Sequence, residues 1–155
     1  MKWLLLLFVL FAGCVSSPEM PEEVPEDFHL IYSTGATHLE WGAYWLEIDS
    51  SGNAEFVKGK GHTNVTETFD VSQEDLLDLY SSVVINDFFG LNGEYSDPSI
   101  MDGGYSYLSV TAKGKTKKVM IVNTENGRFS RIEEEVTQLI DKNGLKWTLP
   151  EPIEG

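Results

Sequence analysis

From Phe28 onward the spacing of apolar and polar residues changes period at regular intervals. Phe28 to Ser33 is rich in β-formers and stops at Thr34-Gly35, which predicts a first strand. Trp41 to Ile48 predicts a second, closed by the turn-forming run Asp49-Ser50-Ser51-Gly52-Asn53, and Ala54 to Lys58 pairs back on it as a hairpin. His62 to Phe69 predicts a fourth, more polar strand. Ser72 then stands where a helix N-cap belongs, with Glu74 and Asp75 in the first turn, where the helix dipole favours acids. Leu76, Leu77, Tyr80, Val83 and Val84 recur at helical spacing as far as Ile85. Asn86 to Gly104 is expected to be a connecting loop that opens with an apolar plug of Phe88, Phe89 and Leu91. Tyr105 to Ala112 and Thr116 to Asn123 predict a hairpin around Lys113-Gly114-Lys115. A last helix from Arg128 to Lys142 carries the stripe Phe129, Ile132, Val136, Leu139 and Ile140, with Gly144 as its C-terminal cap.

The order is therefore ββββ-α-ββ-α. Short links between strands imply antiparallel neighbours, and two amphipathic helices must bury their apolar stripes on something. The expected fold class is α+β, an antiparallel β-sheet with both helices packed on one face and the other face at least partly open to water. A strand's period of two then sorts its side chains. Leu108 and Val110 share one face, and Tyr105, Tyr107, Ser109 and Thr111 the other. Tyr44, Leu46 and Ile48 go together, opposite Ala43, Trp45 and Glu47.

Ahead of this body, Lys2 precedes a wholly apolar run from Trp3 to Phe11. That run is shorter than the ~20 residues needed to cross a bilayer as a helix, and its layout is that of an export signal. Phe11-Ala12-Gly13-Cys14 resembles the lipobox of prokaryotic lipoproteins, in which a peptidase cuts before a lipid-modified cysteine. The resemblance implies cleavage before Cys14, acylation of that residue, and a protein held on the outer side of a membrane in the cell envelope. Val15 to Asp27, VSSPEMPEEVPED, is rich in proline and acid and reads as a tether. The expected organisation is a signal peptide over 1–13, a lipidated cysteine and tether over 14–27, an α+β domain over 28–147 and an acidic tail over 148–155.

The segments GAYWLEIDSSGNAEF, INDFFGL, MDGGYSYLSV and GKTKKV, in that order, are similar to small prokaryotic lipoproteins of an uncharacterised α+β domain family. The likeness spans about Phe28 to Ile140. It supports a fold and a location, and it carries no activity to transfer.

Charge and residue chemistry narrow the possibilities further. The chain has 155 residues with 25 acids against 11 Lys and Arg, for a net charge of −14. With 41% hydrophobic and 12% aromatic residues it has material for a core, so wholesale disorder is excluded. The acidic balance disfavours nucleic acid, whose phosphates require clustered cations. Cys14 is the single cysteine, which leaves no intramolecular disulfide and no cysteine-based zinc cage. His29, His38 and His62 fall on separate segments without ligand spacing, and no nucleophile elbow or phosphate loop occurs. No catalytic residue and no cofactor is expected.

Three features remain. Glu94, Asp97 and Asp102 offer the hard oxygens that calcium takes, yet Asp, Asn and Gly at such positions also form turns, and the spacing matches no EF-hand. Trp41, Tyr44, Trp45, Tyr105 and Tyr107 are candidates for a binding face, because flat aromatics bring contact area with few rotamers. Asn64-Val65-Thr66 is a glycosylation sequon. The function these features suggest is a membrane-anchored, non-catalytic binding or scaffolding module for a protein or glycan partner. An inhibitor of an exported hydrolase is the alternative, with a hydrolase behind it.

Overall fold

A computed structural model describes residues 20–38, 41–100 and 103–150. The leader, Cys14, Asp102 and the last five residues lie outside them. The fold is α+β, in the order β1 (His29–Ala36), β2 (Ala43–Asp49), β3 (Asn53–Lys60), β4 (Thr63–Asp70), α1 (Gln73–Ile85), β5 (Glu94–Ser96), β6 (Gly104–Ala112), β7 (Lys115–Val122) and α2 (Gly127–Lys142). The seven strands form one sheet, β4-β3-β2-β1-β6-β7-β5. Every neighbouring pair is antiparallel except β5 with β7.

The central strand orders the rest. Leu30 is opposite Ile48 on one side and Val110 on the other, and Tyr32 is opposite Leu46 and Leu108. Residues directly opposite in a ladder look to the same face, so these rows are continuous across three strands. All six residues are buried. Both helices cover this face. From α2, Phe129, Ile132, Val136 and Ile140 are almost fully buried, each worth about 1.5–3 kcal/mol in apolar burial. From α1, Leu76, Leu79 and Val83 are buried, and Tyr80 meets Phe28 edge-on at 5.5 Å between ring centroids.

Local chemistry defines the element ends. The Ser72 side chain accepts from the Asp75 amide at 3.1 Å and donates to the Asp75 carboxylate at 2.7 Å. Asn126 caps α2 through the amides of Arg128 and Phe129. At the other end Gly144 takes a φ of 72°, and the amides of Gly144 and Leu145 reach the Asp141 and Ile140 carbonyls, as a left-handed C-terminal cap requires.

Four expectations change. The stretch 86–104 is more than a loop: it holds a short 3-10 turn at Phe88–Gly90 and the edge strand β5, laid parallel to β7. The tether does not run free to Asp27. Val24 packs against the core, and the Asp27 carboxylate accepts the amides of Lys113 and Gly114 at 2.8 and 2.6 Å, clasping the β6–β7 turn. The polar tail does not begin at 148, because the Leu149 side chain fills the space beside Gly42, whose φ is 100°. Finally, Tyr44 leaves the candidate binding face. It lies on the covered side, stacked 5.9 Å from Phe56, with Trp147 edge-on to both rings and accepting the Tyr44 hydroxyl on its carbonyl at 2.6 Å. Residues 145–149 thus extend the helical layer over β2 and β3.

The β2–β3 turn is built around Asp49. Its carboxylate accepts from the amides of Ser51 and Asn53 and from both of their side chains. Gly52 completes the turn at a φ of 91°, in a place where a Cβ would collide with the Val71 carbonyl. Those hydrogen bonds, Ser51 first and then Asn53, hold the Asp49 carboxyl down at about 2, against 3.8 in a free side chain. A group whose folded pKa is depressed adds stability above its unfolded pKa and loses it as pH falls through the folded value. Stability should therefore decline between pH of about 4 and about 2. Asp49→Ala should be less stable at neutral pH and show a shallower acid decline, measured by urea denaturation across that range.

Candidate recognition surface

The parity that buries Leu30, Tyr32, Leu46 and Leu108 turns the alternate residues to the uncovered side. One row crosses the sheet there. Val57 of β3 is opposite Trp45 of β2, Trp45 is opposite Ser33 of β1, Ser33 is opposite Tyr107 of β6, and Tyr107 is opposite Met120 of β7. Trp45 is 39% exposed and Met120 is 38% exposed. The rings of Trp45 and Tyr107 are on the strands either side of the small Ser33, which is buried. Tyr105, two residues along β6, lays its hydroxyl 3.1 Å from Ser33 Oγ. The result is an aromatic and thioether strip with one hydroxyl pair at its centre. Such a surface can stack on a flat ring or an apolar side chain while offering a hydrogen bond, because the phenol ends in a polar group.

The five aromatic residues singled out in the sequence do not act as one patch. Trp45, Tyr105 and Tyr107 share the open face. Trp41 precedes β2, is 52% exposed and rests on His38 at 4.8 Å between centroids. Tyr44 belongs to the opposite side. Ile31 and Val57 were missed; their parity with Trp45 across the ladder was the signal that places them on this face.

The acidic loop divides in the same way. Glu94 is exposed on β5. Asp97 is occupied as a turn former, its Oδ1 accepting the Ser99 amide at 2.9 Å and the Ser99 hydroxyl at 2.6 Å. Those bonds draw its carboxyl below the usual carboxylate range. Among the described residues no set of three or more His, Asp or Glu side chains is grouped to hold a metal ion. His29 Nε2 lies 2.8 Å from Glu47 Oε1 on the open face.

A polar cluster that sequence reasoning overlooked sits under α2. Glu133 Oε1 accepts the Tyr32 hydroxyl at 2.8 Å and the Ser106 hydroxyl at 2.5 Å, and Ser106 Oγ is 3.2 Å from Thr34 Oγ1. Burial, then the adjacent Glu133 charge, raises the Tyr32 phenol above its ordinary range, so it remains a proton donor. Ser106 gives its proton to the same carboxylate, so Glu133 ties β1 and β6 together to α2. Open clefts lie on either side, one of about 360 Å³ beside Gly104 and Ser106 and one of about 600 Å³ between Glu133 and Trp147. The cluster's chemistry is that of a clamp fixing α2 to the sheet. The legible signals were Ser106 in phase with Leu108 and Val110, and Glu133 next to the apolar stripe at Ile132.

Compared with models of known protein families and with curated proteins, the chain matches none.

The clamp predicts unequal costs. Glu133→Ala leaves the buried Tyr32 phenol without its acceptor and should cost about 2 kcal/mol. Tyr32→Phe removes the donor and leaves Glu133 its Ser106 bond, and should cost about 1 kcal/mol. Urea midpoints of the two variants measure the difference.

Proposed function

We propose that this protein is an acylated, membrane-anchored module of the cell envelope that binds a partner through the open face of its sheet and performs no chemistry on it. The observation that carries the proposal is the row Val57, Trp45, Ser33, Tyr107 and Met120, an apolar strip across five adjacent strands that no described helix covers. Monomeric proteins seldom leave a contiguous apolar patch in water without a use for it. Rigid aromatics on strands lose little side-chain entropy on binding, which suits recognition of a protein or a glycan.

The anchoring half of the proposal rests on Cys14 and the Phe11-Ala12-Gly13-Cys14 resemblance. No described helix is long and apolar enough to cross a membrane, so the lipid would supply the attachment. Two or more acyl chains hold a protein stably where one does not.

The two halves are tested separately. Mass spectrometry of the native N-terminus should find a mature chain starting at an acylated Cys14. An unprocessed leader, or a free thiol at that position, would remove the anchor. For the face, envelope extract or a glycan array is presented with the wild type and with the Trp45→Ala, Tyr107→Ala double variant. Capture should fall by roughly ten-fold or more, as loss of aromatic anchors does. The double variant's thermal midpoint should remain near that of the wild type. Undiminished capture would exclude this face.

A further inference from the structure

The two edges of the sheet are built differently. β5 is an edge of only three residues, a short edge that offers little to pair with. At the opposite edge β4, Thr63-Asn64-Val65-Thr66-Glu67-Thr68-Phe69-Asp70, pairs with β3 through all eight residues without a bulge. Its outer side meets no other strand among the described residues. In an antiparallel edge strand alternate residues point both backbone N–H and C=O away from the sheet, so half of β4 presents unpaired donors and acceptors. The devices that usually guard such an edge are lysine, proline, a bulge or an inward-pointing charge. β4 has no lysine and no proline. Its one charge on the helix side, Glu67, is already matched by Lys58 Nζ at 2.6 Å.

We propose that the β4 edge takes up an extended segment of a partner protein as an eighth strand, and that this segment alternates apolar with basic residues. The alternation follows from the two faces of β4. On the helix side Val65 is 40% exposed at the rim and Phe69 is half-buried, so an added strand would cover them with apolar side chains. On the open side the β4 residues are Asn64, Thr66, Thr68 and Asp70. Next to the last two lies a groove of about 450 Å³ whose walls include His29, Glu47, Glu55 and Asp70. Glu55 is directly opposite Glu47, and whereas Glu47 meets His29 at 2.8 Å, Glu55 and Asp70 have no ion pair among the described residues and are the carboxylates that a cation would meet. A second copy of this chain, itself at −14, would bring more acid to that place. Backbone hydrogen bonds supply affinity in strand addition, and alternate side chains supply selectivity.

The uptake is independent of both the acyl anchor and the aromatic strip. The test uses the full-length chain, labelled for amide hydrogen exchange by NMR, with synthetic peptides that alternate Val with Lys or Val with Glu. The Val–Lys peptide should slow exchange of alternate β4 amides by at least about ten-fold, and should bind about ten-fold more tightly than the Val–Glu peptide. Val65→Lys, which adds an edge charge at an exposed position, should weaken Val–Lys binding several-fold while the thermal midpoint holds. Exchange in β4 that does not respond, or equal binding of the two peptides, would overturn the proposal. So would perturbation confined to Trp45 and Tyr107, which would assign the peptide to the open face instead.

Discussion

The structure depends on β1 being paired along its whole length on both sides. β2 and β6 take their registers from it, residue by residue, and β3 and β7 take theirs from β2 and β6. Because side chains alternate with a period of two, the phase of β1 decides what each neighbour buries. Moving β1 by one residue would bring Ile31 and Ser33 under the helices and expose Leu30 and Tyr32. The core and the open strip are therefore two results of one constraint. The strip's order across five strands is not a separate design; it is what remains on the other side when Leu30, Tyr32, Leu46, Leu108 and Val110 are buried.

What could be read from the sequence follows the range of the interactions involved. Alternation within a strand placed Trp45 and Tyr107 opposite Leu46 and Leu108, since that needs only local geometry. Ser72, Glu74 and Gly144 marked helix ends through contacts within one turn. The failures that sequence could not have avoided are contacts between distant segments. β5 has three residues, too few for a periodic signal, and exists because β7 offers it a parallel partner. Asp27 looked like one more acid in a proline-rich run, and its partners are amides 86 and 87 residues away. Tyr44 was in phase with Leu46 and Ile48, so its departure from the binding face was legible once parity was given precedence over aromatic character. Trp147 is what closes over it, and it belongs to a segment after the last helix with no pattern to announce it.

Charge is distributed unevenly for a protein this acidic. From Gly103 to Thr124 there are four lysines, Lys113, Lys115, Lys117 and Lys118, and no acid. Elsewhere three cations are matched among the described residues, Lys58 to Glu67, Arg128 to Asp87 and Lys142 to Asp75. The hairpin lysines have no ion pair among the described residues. Asp27 engages that hairpin through the backbone and not through a lysine ammonium, so the clasp does not use the lysine charges. Its carboxyl is drawn below the usual range by the Gly114 amide and then the Lys113 amide. The acids, by contrast, gather at the β2–β4 side of the same sheet end. That end carries opposite signs about four strands apart, on the order of 20 Å at ~4.8 Å per strand, which exceeds the ~8 Å screening length at physiological salt. The two halves therefore act on their surroundings as separate patches.

Three directions of approach are consequently distinct on one small sheet. The open strip faces along the sheet normal, the β4 edge faces along the hydrogen-bond direction, and the chain enters at a strand end where Asp27 holds the β6–β7 turn. These directions are mutually perpendicular, so a partner on one does not occlude another. On the proposed anchoring, the segment that carries the anchor is clasped at the β6–β7 turn through Asp27, and the turn it grips belongs neither to the open strip nor to the β4 edge. A segment clasped across the open face would cover the strip, and one clasped along β4 would occupy the edge that strand addition needs.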